Sequence, residues 1–148
     1  MDFEKNCCVI GLHKIFANKQ SYLKQKLEQE IIRALNDGHR TFIAEYVPNT
    51  EPFFRYVNER GKEYPNIFLE AVISQNCELL DHDLLSMCDG IKVLHGNFQQ
   101  GSQISVTRYL IRQSGRVIII FDESPDHNTA YAIDYAGIIY RDLRVIEI

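Results

Sequence analysis

Three groups of side chains in this 148-residue chain are of types and spacings that could do chemistry. The first is the loop Asp122-Glu123-Ser124-Pro125-Asp126-His127-Asn128-Thr129, where acids, a serine and a histidine fall close together. Nucleophilic catalysis needs a serine, a base and an orienting acid to meet in space. No G-x-S-x-G elbow surrounds Ser124, so the loop reads equally as a polar connection whose Asn128 or Thr129 caps the next helix. The second group is Arg108 and Arg112, one helical turn apart. They either reach anionic ligand atoms or pair with acids on a helix surface. The third is His13-Lys14, just after an apolar run that ends at Gly11: two cationic groups for a ligand, or an exposed loop.

Other chemistries leave no pattern. His13, His39, His82, His95 and His127 form no H-x-x-x-H-type pair, and no cysteines share ligand spacing, so the sequence predicts neither a metal site nor a cofactor. Cys7, Cys8, Cys77 and Cys88 lack a C-x-x-C and read as structural free thiols, which fits a reducing, cytoplasmic setting.

The elements that must position these residues follow from the apolar pattern. Val117 to Phe121 is a run of β-branched and aromatic residues, suited to a strand buried on both faces of a parallel sheet. Thr129 to Tyr140 resumes with helical spacing, placing Ile133, Ala136, Gly137 and Tyr140 on one face. Strand, polar loop and helix in that order form the unit whose loop holds ligands in open α/β folds. The helix N-terminus would offer its free N–H groups to a phosphate or carboxylate.

Five further strands are predicted, at Cys7–Ile10, Thr41–Tyr46, Ile67–Ile73, Ile91–Leu94 and Leu143–Ile148. Between them lie helices: Ser21 to Asp37, stopped by Gly38; Phe53 to about Gly61, with Thr50 as N-cap; a helix through Leu80, Leu84, Met87 and Cys88; and one through Val106, Tyr109, Leu110 and Gln113. The phenylalanines Phe53 and Phe54 are assigned to the core. The segment His95–Gln103 is either a solvent loop or a rim over a pocket. The expected fold is an α/β three-layer Rossmann-like open sheet, mostly parallel, of about six strands with helices on both faces, in one domain spanning 1–148.

Composition narrows the partners. Apolar residues at 45% and charged residues at 24% argue for a packed core rather than disorder. A net charge of -4 makes nucleic acid an unfavourable partner. No apolar run reaches the roughly 20 residues of a membrane span. The opening MDFEKNCCVIG reads as the start of a strand and not as a signal peptide.

Taken in order, several segments resemble the SLOG superfamily of Rossmann-like domains, which includes the lonely-guy phosphoribohydrolases, the Smf/DprA proteins and a bacterial YpsA-like branch. CCVIGLHK is similar to that branch's C-C-F-T-G-H-R-P start, and LNDGHRTFIAE to its helix end, glycine and strand. KEYPNIFLEAVI is similar to K-x-Y-P-x-I-x-L-E-x-x-I-P, TRYLIRQSGRVIIIFDESP to N-R-Y-M-V-D-x-S-x-x-L-I-A-V-W-D-G-x-P, and NTAYAIDYA to N-T-x-x-x-x-Y-A. The family's glycine-rich turn after the second strand reads Ala44-Glu45-Tyr46-Val47-Pro48-Asn49-Thr50 here, and its later G-G-T reads Asp126-His127-Asn128-Thr129.

The resemblance implies that a small nucleotide-like ligand binds above the strand ends. It would touch Gly11, Leu12, His13 and Lys14; Glu45, Tyr46, Asn49 and Thr50; Arg108; and Asp122, Glu123, Ser124, Asn128 and Thr129. Binding without catalysis is the first expectation, because the family's glycines and acids are replaced. The alternatives are hydrolysis of the N-glycosidic bond of a nucleoside monophosphate, with Glu45, Asp122 or Glu123 as the carboxylate, and a scaffold that pairs as a homodimer through exposed aromatic residues.

Overall fold

The computed structural model describes residues 3–11, 17–74, 82–94, 102–121 and 127–148. Its strands are β1 (Asn6–Ile10), β2 (Thr41–Glu45), β3 (Phe68–Ser74), β4 (Gly90–Leu94), β5 (Arg116–Phe121) and β6 (Asp142–Glu147). They form one sheet in the order β4-β3-β2-β1-β5-β6, and every neighbouring pair is parallel. The mostly parallel sheet expected from the sequence is thus parallel throughout, and each strand lies within a residue of its expected bounds. The helices are α1 (Gln20–Asn36), α2 (Glu51–Arg60), α3 (His82–Ser86), α4 (Ser102–Arg112) and α5 (His127–Ile138).

Side-chain alternation along the strands divides the core into two layers. Cys7, Val9, Phe42, Ala44, Leu69, Ala71, Ile118 and Ile120 pack with Leu27 and Ile31 of α1, Phe53 and Phe54 of α2 and Leu84 of α3. Cys8, Ile10, Ile43, Val72, Val117 and Ile119 pack with Val106, Leu110 and Ile111 of α4 and Ala132 and Ala136 of α5. Strands β1, β2 and β5 are therefore covered on both sides, which is why their sequences read as unbroken apolar runs. Phe53 and Phe54 meet edge to face at 5.5 Å inside the first layer, as core residues. Cys7 and Cys8 are buried free thiols, and burial pushes the Cys8 thiol up to about 12. No described helix is long and apolar enough to cross a membrane.

From β1 the chain steps outward through β2, β3 and β4, then returns to the other side of β1 for β5 and continues to β6. The winding reverses between β1 and β5. In open parallel sheets the loops at the carboxyl ends of such a strand pair diverge and leave a crevice.

The opposite, amino-terminal rim is fastened by a buried charge. Arg116, only 4% exposed at the start of β5, donates to Asp142 at 2.9 Å and to Asp37 at 2.7 Å. Asp142 also receives Arg144 at 3.0 Å, so one network ties the end of α1 to the starts of β5 and β6. Gly38 closes α1 as expected. Its φ of 99° is the reason for glycine there, because a Cβ would meet nothing within 4 Å.

Three local expectations need correction. Thr50 precedes α2, but its hydroxyl makes no cap bond to that helix; it turns back to Val47 instead. Helix α5 begins at His127, so Asn128 and Thr129 lie in its first turn and do not precede it as caps. Gly137 and Tyr140 do not share the buried face with Ile133 and Ala136. Tyr140 follows the helix at φ 59° and is 93% exposed.

Candidate functional site

The carboxyl ends of β1 and β2 and the start of α5 converge on one hollow. It is lined by Val9, Ile10 and Gly11 from β1 and its exit, Glu45, Val47 and Thr50 from β2 and its exit, Thr107 and Leu110 from α4, and Asn128 from α5. Each group arrives there for a local reason. Gly11 leaves β1 with φ 102°, and a Cβ on it would stand 2.5 Å from the carbonyl oxygen of Ile120. A bare backbone can pass over the end of β5 at that point; a side chain cannot.

The exit from β2 is held equally firmly. The Tyr46 N–H continues the ladder to the Val72 carbonyl at 2.8 Å, and Val47 stays extended before a tight turn at Pro48–Thr50. Thr50 closes that turn with two hydroxyl bonds, donating to the Val47 carbonyl at 2.7 Å and accepting the Val47 N–H at 3.1 Å. The turn sets Thr50 at the hollow and leaves Asn49 half-buried beside it.

On the far side, the Thr107 hydroxyl donates to Asn128 Oδ1 at 2.5 Å, bridging α4 and α5. Both residues are buried, and so are Thr50 and Thr129. Polar side chains are rarely buried without a hydrogen-bonding role, and here they gather at one rim. With Oδ1 engaged, Asn128 retains its Nδ2–H₂ group as a donor to present to the hollow. Glu45 contributes a carboxylate and Gly11 an accessible stretch of backbone. The first-turn N–H groups of α5 add positive partial charge at the same place. Among the described lining residues there is no lysine or arginine.

The enclosed space is about 10 Å³, enough for one water molecule. A molecule larger than water does not fit within the enclosed space itself.

The candidate residues fall into three sets. Gly11, Glu45, Thr50 and Asn128 line the hollow together. Thr129 is buried next to Asn128, whereas Tyr46 packs against the core layer of α1 and α2. Arg108 stands on the outer side of α4. It donates to the Tyr131 hydroxyl at 3.0 Å and lies over the Tyr131 and Tyr135 rings, while Arg112 donates to the Tyr135 hydroxyl at 2.7 Å. Leu12, His13, Lys14, Asp122, Glu123 and Ser124 lie outside the described residues, as do Cys77 and residues 95–101 of the amide-rich segment. Sequence reasoning passed over Thr107. Its signal was present: a threonine on the same helical face as Val106, Leu110 and Ile111, all of which are apolar.

Comparison with protein-family models and with curated proteins returned no match to this chain. The parallel sheet and its reversal between β1 and β5 make the fold Rossmann-like.

Proposed function

We propose that this protein binds a nucleotide or nucleotide-derived small ligand across the carboxyl ends of β1, β2 and β5, without transforming it. The observation that carries this reading is the buried Thr107–Asn128 hydrogen bond at the floor of the hollow, beside Glu45 and the positive-φ Gly11. At the amino rim the buried Arg116 is engaged by two carboxylates; at this rim the buried hydroxyls and amide surround an opening instead, although burying polar groups costs free energy. The resemblance to the SLOG superfamily points to the same end of the sheet, and to a ligand carrying ribose and phosphate.

The floor suits such a molecule. Carboxylate and amide groups hydrogen-bond hydroxyls and ring nitrogens, and the helix N-terminus favours an anion. The weaker reading, hydrolysis of an N-glycosidic bond, is favoured by one observation: Glu45 is a carboxylate at the hollow, where an oxocarbenium-like centre would need one.

The test is a thermal-shift panel of nucleoside mono- and diphosphates, dinucleotides and nucleotide sugars, run in parallel with an assay for released base. A ligand at a hundred times its dissociation constant adds about 2.7 kcal/mol, a rise of several degrees for a domain of this size. The shift should disappear in Asn128→Leu, and no base should appear. A panel without any shift refutes the proposal. Base release that Glu45→Gln abolishes replaces binding by hydrolysis.

A further inference from the structure

Helix α5 covers one side of the sheet, yet the face it turns to solvent is not that of a solvent-facing helix. Ala132 and Ala136 point into the core. The opposite side carries Ala130, Asp134, Gly137 and Ile138, all exposed, and Ile138 is 71% exposed. Asp134 is the only charged residue in His127–Ile138. On α1, by contrast, the exposed positions include Ser21, Lys24, Gln25, Gln29, Arg33 and Asn36. A helix that is apolar around most of its circumference is ordinarily covered on both sides.

The charges beside this face are arranged to complement themselves. Arg108 and Arg112 are exposed on α4 next to it, and their side chains are engaged by the hydroxyls of Tyr131 and Tyr135, whose rings stack at 5.6 Å. Among the described residues neither arginine has a carboxylate partner, and Asp134 has no cationic one. The tyrosine bonds hold the two guanidinium groups in place with donors to spare, since each has five N–H groups. One patch therefore presents an unpaired acid, two unpaired and positioned cations, and an apolar centre.

We infer that this α4–α5 face is the contact between two copies of this chain. An isologous interface must be complementary to itself, with residue i against j and j against i. A two-fold axis running along the helices sets α5 of one copy over α4 of the other and encloses Ile138 at the seam, with Arg112 level with Tyr135 and so with the neighbouring Asp134. It carries Asp134 toward Arg112 of the second copy, twice. The inference does not depend on what the hollow binds, which lies at the strand ends and not on this face.

The experiment is sedimentation equilibrium on the full chain, from low micromolar to near-millimolar concentration, with circular dichroism to confirm folding. The wild type should reach the mass of two chains. Ile138→Glu should raise the dimer dissociation constant at least tenfold, and so should Asp134→Arg or Arg112→Glu alone. The double variant Asp134→Arg with Arg112→Glu should restore most of the lost affinity, because the pair is inverted and not removed. A wild type that stays monomeric at every concentration overturns the inference. So does a dimer whose dissociation constant Ile138→Glu leaves unchanged, or a double variant no tighter than either single one.

Discussion

The bond between Thr107 and Asn128 permits a double-mutant test of how the rim is built. Thr107→Val keeps the shape of the side chain and removes its hydroxyl. Asn128 Oδ1 then loses the 2.5 Å bond it receives, inside a residue that is 4% exposed. An unsatisfied acceptor in such a place costs about 1–3 kcal/mol. At about 2–4 °C per kcal/mol, the melting temperature should fall by several degrees. The reverse change, Asn128→Leu, strands the Thr107 hydroxyl less severely, since a helical threonine can turn to the carbonyl four residues back. The order of cost should therefore be Thr107→Val above Asn128→Leu in polar terms, and the double variant should cost less than the two singles added. Urea unfolding followed by circular dichroism reads this directly as midpoint shifts at constant slope. A coupling near 1 kcal/mol is expected. If Thr107→Val costs under about 0.5 kcal/mol, or the two changes simply add, the bond does not hold the rim.

Two further perturbations follow from the geometry. Gly11 and Gly38 both have positive φ, but only at Gly11 would a Cβ meet another group closely, the Ile120 carbonyl oxygen at 2.5 Å. Gly38→Ala should cost roughly 1 kcal/mol for backbone strain alone, and Gly11→Ala distinctly more; equal midpoint shifts in urea would contradict this. His39 is held below the usual histidine range by burial first and the Arg116 charge second, against the opposing Lys5 carbonyl, Asp142 and Asp37. The unfolded chain therefore takes up a proton that the native chain refuses as pH drops below about 6.5, so stability falls with falling pH. His39→Gln should flatten the pH dependence of the melting temperature between about pH 6.5 and 5, and an unchanged slope would exclude His39 as its source. At lower pH a second loss belongs to the carboxylates. Asp37 is lowered by its hydrogen bond from Arg116. Asp142 is lowered because bonds from Arg144 and Arg116 outweigh its burial. Their stabilisation is complete above the ordinary carboxylate range and disappears as pH falls through the depressed values.

The architecture was legible because strand and helix signals are local. Val117 to Phe121 reads as a strand covered on both faces, and Leu23, Leu27, Ile31 and Leu35 read as one face of a helix; the structure adds only Arg116 to the strand. What local pattern does not encode is which side a small or aromatic residue takes when its helix is apolar nearly all round. Spacing puts Ile133, Ala136, Gly137 and Tyr140 on one face; in the structure Ala136 packs inward with Ala132, and Gly137 and Tyr140 are exposed. Side-chain commitments were equally hidden. Arg108 was read as a ligand contact or a partner for acids, and only the three-dimensional neighbourhood supplies its tyrosine partners across α4 and α5. Thr50 was read as a cap from its position before a proline-containing helix start. Its hydroxyl closes the preceding turn instead, a choice between two bonds of similar strength that sequence does not decide.

These assignments separate the two rims of the sheet by the work each does. The amino rim uses its polar groups on one another: Arg116 binds Asp37 and Asp142, and Asp142 binds Arg144. Removing either side leaves a charge without its partner, so this end tolerates little change. The carboxyl rim gathers buried hydroxyls and an amide around an opening, with exits fixed by Gly11 and by the Val47–Thr50 turn. Strand β5 joins the two, beginning in the Arg116 network and bringing the Ile120 carbonyl, one residue before its end, against Gly11. A rigid floor supported from below can carry loops of varied composition above it, because their sequence contributes little to the core. The fold at this rim is therefore fixed by the strand exits and the buried hydroxyls, and the composition of the loops above it is left free.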